Sequence, residues 1–156
     1  MPFLPRENLR AQREYVMYER PIYETETDRI KERSVQECLL RKIDCLWQEA
    51  TTHDNIDGYL YYPNKELGAV VEIKIRSNRS TAYDTYMLSA YKWRNGLHRA
   101  KTLGVPFMLV VKFADGVYYT IVEEDYQVAQ GGRYDRNDRF DEEQCVYIPM
   151  EKFKPL

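Results

Sequence analysis

Three side chains near the middle of the chain have types and spacing that suit phosphate chemistry: Asp57, Glu72 and Lys74. They lie in IDGYLYYPNKELGAVVEIKIR, residues 56–76, which reads as two strands around a turn. Tyr59–Tyr62 is aromatic and strand-prone, Ala69–Ile75 is β-branched, and Pro63, Asn64 and Gly68 between them are turn residues. Alternation along the second strand puts Val71, Ile73 and Ile75 on one face and Val70, Glu72 and Lys74 on the other. With the turn centred near residues 65 and 66 and no bulge, Asp57 faces Lys74, and directly opposed residues project from the same face. The expectation is one exposed patch of two carboxylates and an ammonium, at the end of the hairpin away from its turn.

Hard oxygen ligands with an open coordination sphere suit Mg²⁺ or Mn²⁺. Such an ion activates water and neutralises charge on a phosphate. A neighbouring lysine stabilises developing negative charge or positions the water. The plainer reading is a solvated sheet face with an ion pair worth roughly 0–1 kcal/mol. An Asp at hairpin distance, an apolar alternate face and flanking helical segments favour the first.

Asp57 followed by Glu72-Ile73-Lys74 on a β-branched strand resembles the PD-(D/E)XK nuclease superfamily, in which helix, Asp-bearing strand, (D/E)XK strand, helix and strand follow one another. The proline that often precedes the first Asp is absent, since Asn55-Ile56 stand there. The resemblance covers roughly residues 27–122. It implies an α/β fold with a mixed central sheet flanked by helices, in the restriction-endonuclease-like arrangement. It implies that Asp57, Glu72 and the Ile73 backbone carbonyl hold Mg²⁺ or Mn²⁺, and that Lys74 orients or helps deprotonate the attacking water. The first helix of such proteins often carries a glutamate reaching toward the metal. Glu32 is the candidate, because Val35 and Leu39 follow at a spacing similar to that of Holliday junction resolvases; Glu37 is the fallback. A Lys or Gln on the second helix often points into the active site, and Lys92 is the candidate. The tail beginning GGRYD is similar to tails of small phage-type members.

The 156 residues suit one domain, 1–156, and 44% hydrophobic residues supply a core. No run of 18 apolar residues is present, so no membrane span is expected, and MPFLPRENLR lacks the apolar region of a signal peptide. Three cysteines without CxxC spacing argue against a disulfide scaffold or a zinc site, and a cytoplasmic protein is expected. His53 and His98 are isolated. The net charge is −2, yet residues 72–101 hold seven Lys or Arg against two acids. A basic patch around the proposed site, with acidity elsewhere, suits contact with phosphates in one place. Arg76, Arg79, Lys92 and Arg99 are the candidate nucleic-acid contacts.

In chain order, residues 1–24 read as an arm that packs on the domain or on a second copy, so a homodimer is a candidate assembly. Thr27 or Asp28 caps a helix expected to run to about Glu49, on the spacing of Ile30, Val35, Cys38, Leu39, Ile43 and Leu46. A second helix is expected from Thr81 or Asp84 to Leu103-Gly104, with Pro106 as a stop. VPFMLVVKF, Val105–Phe113, reads as a buried strand and Val117–Val122 as its hairpin partner. Residues 123–156 read as a C-terminal loop rich in Gly and Asp, then an edge strand over Cys145–Pro149. The expected function is metal-dependent hydrolysis of nucleic-acid phosphodiesters, DNA before RNA. The alternatives are a catalytically inactive nucleic-acid-binding module of a DNA-processing assembly, and a protein-interaction module built on the 14 tyrosines.

Overall fold

A computed structural model describes residues 25–51, 55–130 and 144–156. The expected N-terminal arm, His53 and the Gly131–Asp141 loop lie outside the described residues.

The first helix, α1, is Glu26–Lys42. Thr25 caps it: its hydroxyl accepts the Asp28 N–H and its own N–H donates to the Asp28 carboxylate, both at 3.1 Å, a reciprocal arrangement that satisfies donors the first turn leaves free. Those bonds hold the Asp28 carboxyl below its ordinary value. Glu26 and Asp28 in the first turn and Arg41 and Lys42 in the last complement the helix dipole. The helix does not run to Glu49 as expected. The backbone turns extended at Ile43, and Leu46–Glu49 forms strand β1. The apolar spacing around Ile43 and Leu46 fits either element; pairing with the next strand decides it, Leu46 opposite Tyr61 and Glu49 opposite Gly58.

The remaining elements are β2 (Gly58–Tyr61), β3 (Leu67–Ile75), β4 (Thr85–Ser89), α2 (Ala90–Leu103), β5 (Phe107–Phe113), β6 (Gly116–Ile121), β7 (Val128–Gln130), β8 (Gln144–Pro149) and β9 (Lys154–Pro155). Six strands form a mixed sheet in the order β1-β2-β3-β5-β6-β9. Its one parallel pair, β3 with β5, is joined by a crossover through β4 and α2. The expected second helix therefore starts late. Thr85–Ser89 pairs with β8 as a strand instead, and burial alternates along it, with Tyr86 and Leu88 buried and Thr85 and Met87 exposed. Ser89 then caps α2, its hydroxyl accepting the Tyr91 N–H, and Gly104 in the left-handed region ends it. Cys145–Pro149 is not an edge strand: β8 lies between β4 and β7 in a second, three-stranded sheet.

Each face of the large sheet carries its own core. Val35 and Leu39 of α1 pack with Leu60, Ala69, Val71, Ile73, Met108 and Val110. Tyr59, Tyr61, Val70, Phe107, Leu109 and Val111 point the other way, toward α2 and the small sheet. From Ala69 onward, even-numbered residues of β3 thus face α2 and odd-numbered ones face α1. Among the described residues no helix is long and apolar enough to cross a membrane.

Two glycines mark close approaches. A Cβ on Gly58 would sit 2.3 Å from the Trp47 ring, and one on Gly96 would sit 2.1 Å from the Phe107 ring. Phe107 is fully buried on β5, so its ring has nowhere to go. Gly96→Ala is therefore expected to destabilise the fold by about 1–3 kcal/mol, despite the helix propensity gained, and a denaturant midpoint at or above the parent's would show that α2 shifts freely on the sheet.

Candidate active site

The hairpin that carries Asp57 and Glu72 closes between Tyr62 and Glu66, whose N–H and C=O meet at 2.8 Å. Lys65 takes a left-handed φ of 70° there, and Asn64 Oδ1 accepts the Glu66 N–H. A bulge at Leu60/Tyr61 then shifts the ladder, which continues with Gly58 opposite Val71 and Tyr59 opposite Val70. Asp57 comes level with Glu72, not with Lys74 as the sequence reading has it. The turn sits nearer Asn64 than residues 65 and 66, and the bulge adds a residue to one side. The correction is two residues, an even number, so the face assignment is unchanged.

Strand geometry sets the rest. The N–H groups of Val70 and Arg76 donate to Pro106 and Lys112 on the β5 side. Those of the odd residues turn to the β2 side: the Val71 carbonyl accepts the Asp57 N–H at 3.0 Å, and the Ile73 N–H donates to Asp57 Oδ2 at 2.6 Å. A strand residue directs its N–H and C=O to the same edge, so the Ile73 carbonyl points to the edge that Asp57 occupies.

Glu72 projects toward α2. Its Oε1 takes two ammoniums, Lys92 Nζ at 3.1 Å and Lys74 Nζ at 3.5 Å. Lys92 Nζ also donates to the Asn55 carbonyl at 3.4 Å. Glu72 Oε2 is buried with no hydrogen-bond partner. The residue is 1% exposed, so the patch is not the exposed face expected from the sequence. The α2 layer covers it, while Asp57 and the two lysine side chains stay partly open, the lysines at 29% and 26%. Burial first, and the Glu72 charge second, push the Asp57 carboxyl up to about 7 against the pull of Lys92. Burial pulls the Lys92 ammonium down, but Glu72 and Asp57 overcome it and hold its pKa above the ordinary value.

Other candidates lie elsewhere. Glu32 sits on α1, and α1 packs on the opposite face of the sheet from Glu72. Among the described residues no group of three or more His, Cys, Asp or Glu is spaced to hold a metal, so neither Glu32 nor the fallback Glu37 completes a set with Asp57 and Glu72. Arg99 is withdrawn as a phosphate contact: it is 5% exposed, and its Nε and Nη2 both donate to the Tyr59 hydroxyl, at 2.9 and 2.6 Å. Helical spacing put Arg99 on the stripe of Lys92, but that stripe turns into the core here. Arg76 is half-buried with its guanidinium 5.0 Å over the Tyr86 ring. Arg79 is exposed in a loop that Asp115 pins through the Ser80 N–H and hydroxyl at 2.7 and 2.6 Å. Sequence reading missed Asn55, Tyr86 and Asp115. None of the three left a signal of its own, because each owes its place to what packs around it.

A buried carboxylate with one orphaned oxygen, a second, part-buried carboxylate and a converging carbonyl form a hard-oxygen donor set of the kind that fits Mg²⁺ or Mn²⁺. A buried polar atom without a partner calls for an occupant or a function.

The sequence matches the family described as "Phage putative PDDEXK endonuclease" over residues 18–156. No curated protein matches it. Among solved structures, the fold is similar to that of Hjc, a Holliday junction resolvase from the hyperthermophilic archaeon Archaeoglobus fulgidus. The TM-score is 0.54 and the identity 13%, over 80% of this chain and 88% of that one.

Proposed function

We propose that this chain, which belongs to the phage PDDEXK endonuclease family, hydrolyses nucleic-acid phosphodiester bonds, DNA before RNA, with Mg²⁺ or Mn²⁺. The observation that carries the reading is the meeting of three groups: Asp57 accepts the Ile73 N–H, Lys74 pairs with Glu72 Oε1, and Glu72 Oε2 is buried without a partner. Asp57, Glu72 and the Ile73 carbonyl would hold the cation. When bound, it supplies charge neutralisation at the phosphate and a water of lowered pKa.

The chain's own groups do the rest. Lys74, anchored on a central strand, places an ammonium beside the carboxylates, where it orients the attacking water and stabilises charge developing on the phosphate. Arg76, fixed over Tyr86, and Arg79, on its pinned loop, hold the substrate backbone; contacts of this kind position a strand without reading its sequence. Burial of Glu72 under α2 strengthens every electrostatic interaction at the site.

The test is cleavage of linear, circular, branched and single-stranded substrates in Mg²⁺, Mn²⁺ and EDTA. Cleavage is expected with either metal and none in EDTA; activity that persists in EDTA ends the metallonuclease reading. One observation favours the second reading, a binding module without turnover: two lysines already neutralise the carboxylates. Salt-dependent DNA binding with no cleavage under any metal would select it.

A further inference from the structure

Lys92 has two readings that exclude each other in a static site. Its spacing and the basic segment around it suit a phosphate contact. Its ammonium is committed to the Glu72 carboxylate at 3.1 Å and to the Asn55 carbonyl at 3.4 Å. Charge balance reconciles them. Asp57 and Glu72 supply at most two negative charges, and Lys74 and Lys92 supply two positive ones. A divalent cation held by the same carboxylates leaves a surplus of two positive charges around the buried Glu72, where like charges repel more strongly than in bulk water. An ammonium must then leave Glu72.

Geometry selects which. Lys92 is closer to Glu72 than Lys74 is, and acts more strongly than Lys74 on Asp57. It is thus the ammonium nearer the position that a cation shared by both carboxylates requires. Its side chain comes from α2, is long, and is about a quarter exposed, so it has a route outward. Lys74 rises from β3 beside Glu72 and stays a neighbour.

We infer that Lys92 is an exchange residue: it holds Glu72 in the metal-free protein, is released when a divalent cation loads, and turns to the substrate phosphate. The inference rests on the metallonuclease reading above. It makes metal loading and phosphate binding reciprocally coupled through one side chain, and it keeps the buried Glu72 carboxylate compatible with a folded metal-free chain.

The experiment is calorimetric titration of Mn²⁺ into the full chain without nucleic acid, for the parent, Lys92→Met and Lys92→Gln. With the competing ammonium gone, Mn²⁺ affinity is expected to rise on the order of tenfold, within the usual 5–150-fold range of site coupling. A residue that contacts only phosphate, away from the carboxylates, would not tighten metal binding, and one that stayed on Glu72 after metal loading would fail the second measurement. Lys92→Gln, which keeps a donor toward Asn55 and Glu72, guards against loss of fold in Lys92→Met. In a second measurement, duplex DNA binding is compared in EDTA and in Ca²⁺. The Lys92 variants should reduce the magnitude of the salt slope by about one phosphate in Ca²⁺ and leave it unchanged in EDTA. A parent that binds Mn²⁺ while neither variant binds it more tightly overturns the exchange and leaves the nuclease reading standing. A parent that binds no divalent cation overturns both.

Discussion

Lys74→Ala is expected to lower cleavage on the order of 10²–10³-fold, the usual effect of deleting one group that stabilises transition-state charge, while divalent-cation affinity holds or improves. Both carboxylates remain in that variant, and in the metal-free protein Lys92 still holds Glu72 at 3.1 Å. Lys74→Arg should rescue poorly, because the guanidinium is larger, planar and does not release its proton. Glu72→Gln is the contrasting change. It keeps the shape of a fully buried side chain but removes a ligand charge, so cleavage should fall to background and Mg²⁺ or Mn²⁺ affinity with it. The contrast depends on burial. Were Glu72 on a solvated face, its replacement would leave stability within about 0.5 kcal/mol; at 1% exposed between two ammoniums, truncation to alanine would strand buried positive charge, and the isosteric amide is the cleaner probe. Labelled-substrate cleavage and metal titration on the same preparations decide the matter. Cleavage that survives Glu72→Gln, or metal affinity lost with Lys74→Ala, contradicts these assignments.

Metal-free protein should become less stable between about pH 4 and pH 7 on account of Asp57, in the sense opposite to an ordinary salt-bridged carboxylate. Its folded pKa is about 7 against 3.8 for the ordinary group. Over that interval the folded chain keeps a proton that the unfolded chain has released, so stability falls as pH rises and levels off above 7. Raising a carboxyl from 3.8 to about 7 corresponds to at most about 4 kcal/mol. Asp28 and Asp115 are held below their ordinary values, by bonds from Thr25 and Ser80 respectively, and pull the other way at acid pH. The diagnostic is therefore the difference between the parent and Asp57→Asn, which lacks the titration. Denaturant unfolding in EDTA across pH 5–8 should show a steeper decline in the parent. Mg²⁺ or Mn²⁺ favours the ionised carboxylate, so it should restore the parent's stability at pH 8 and, below about pH 7 where Asp57 still holds its proton, release that proton on binding. Parallel pH profiles for the two proteins would mean that Asp57 is not the buried, charge-repelled group described here.

The chemistry of the site is local enough to be legible in the chain. Alternation along Val70–Ile75 separates Glu72 and Lys74 from Val71 and Ile73 whatever the surroundings, because the period of a strand is two. Parity places Asp57 on the same face under any even slip of the hairpin, which is why a register wrong by two residues still brought the carboxylates together. Gly104 and the apolar run Phe107–Phe113 likewise announce a helix end and a buried strand, since each rests on a backbone or burial preference of its own residues. Tertiary pairing decided what local pattern leaves open. Leu46–Glu49 and Thr85–Ser89 carry spacing compatible with a helix, and strand partners at β2 and β8 took them. Whether Arg99 meets a phosphate or the Tyr59 hydroxyl depends on which stripe of α2 meets the sheet. Whether Glu32 reaches the carboxylates depends on how α1, which packs on the odd-numbered face of β3, meets the site end of the sheet. The burial of Glu72, and with it the raised pKa of Asp57 and the hold of Lys92, exists only once α2 lies over the sheet, because desolvation and charge proximity are properties of what surrounds a group and not of its place in the chain.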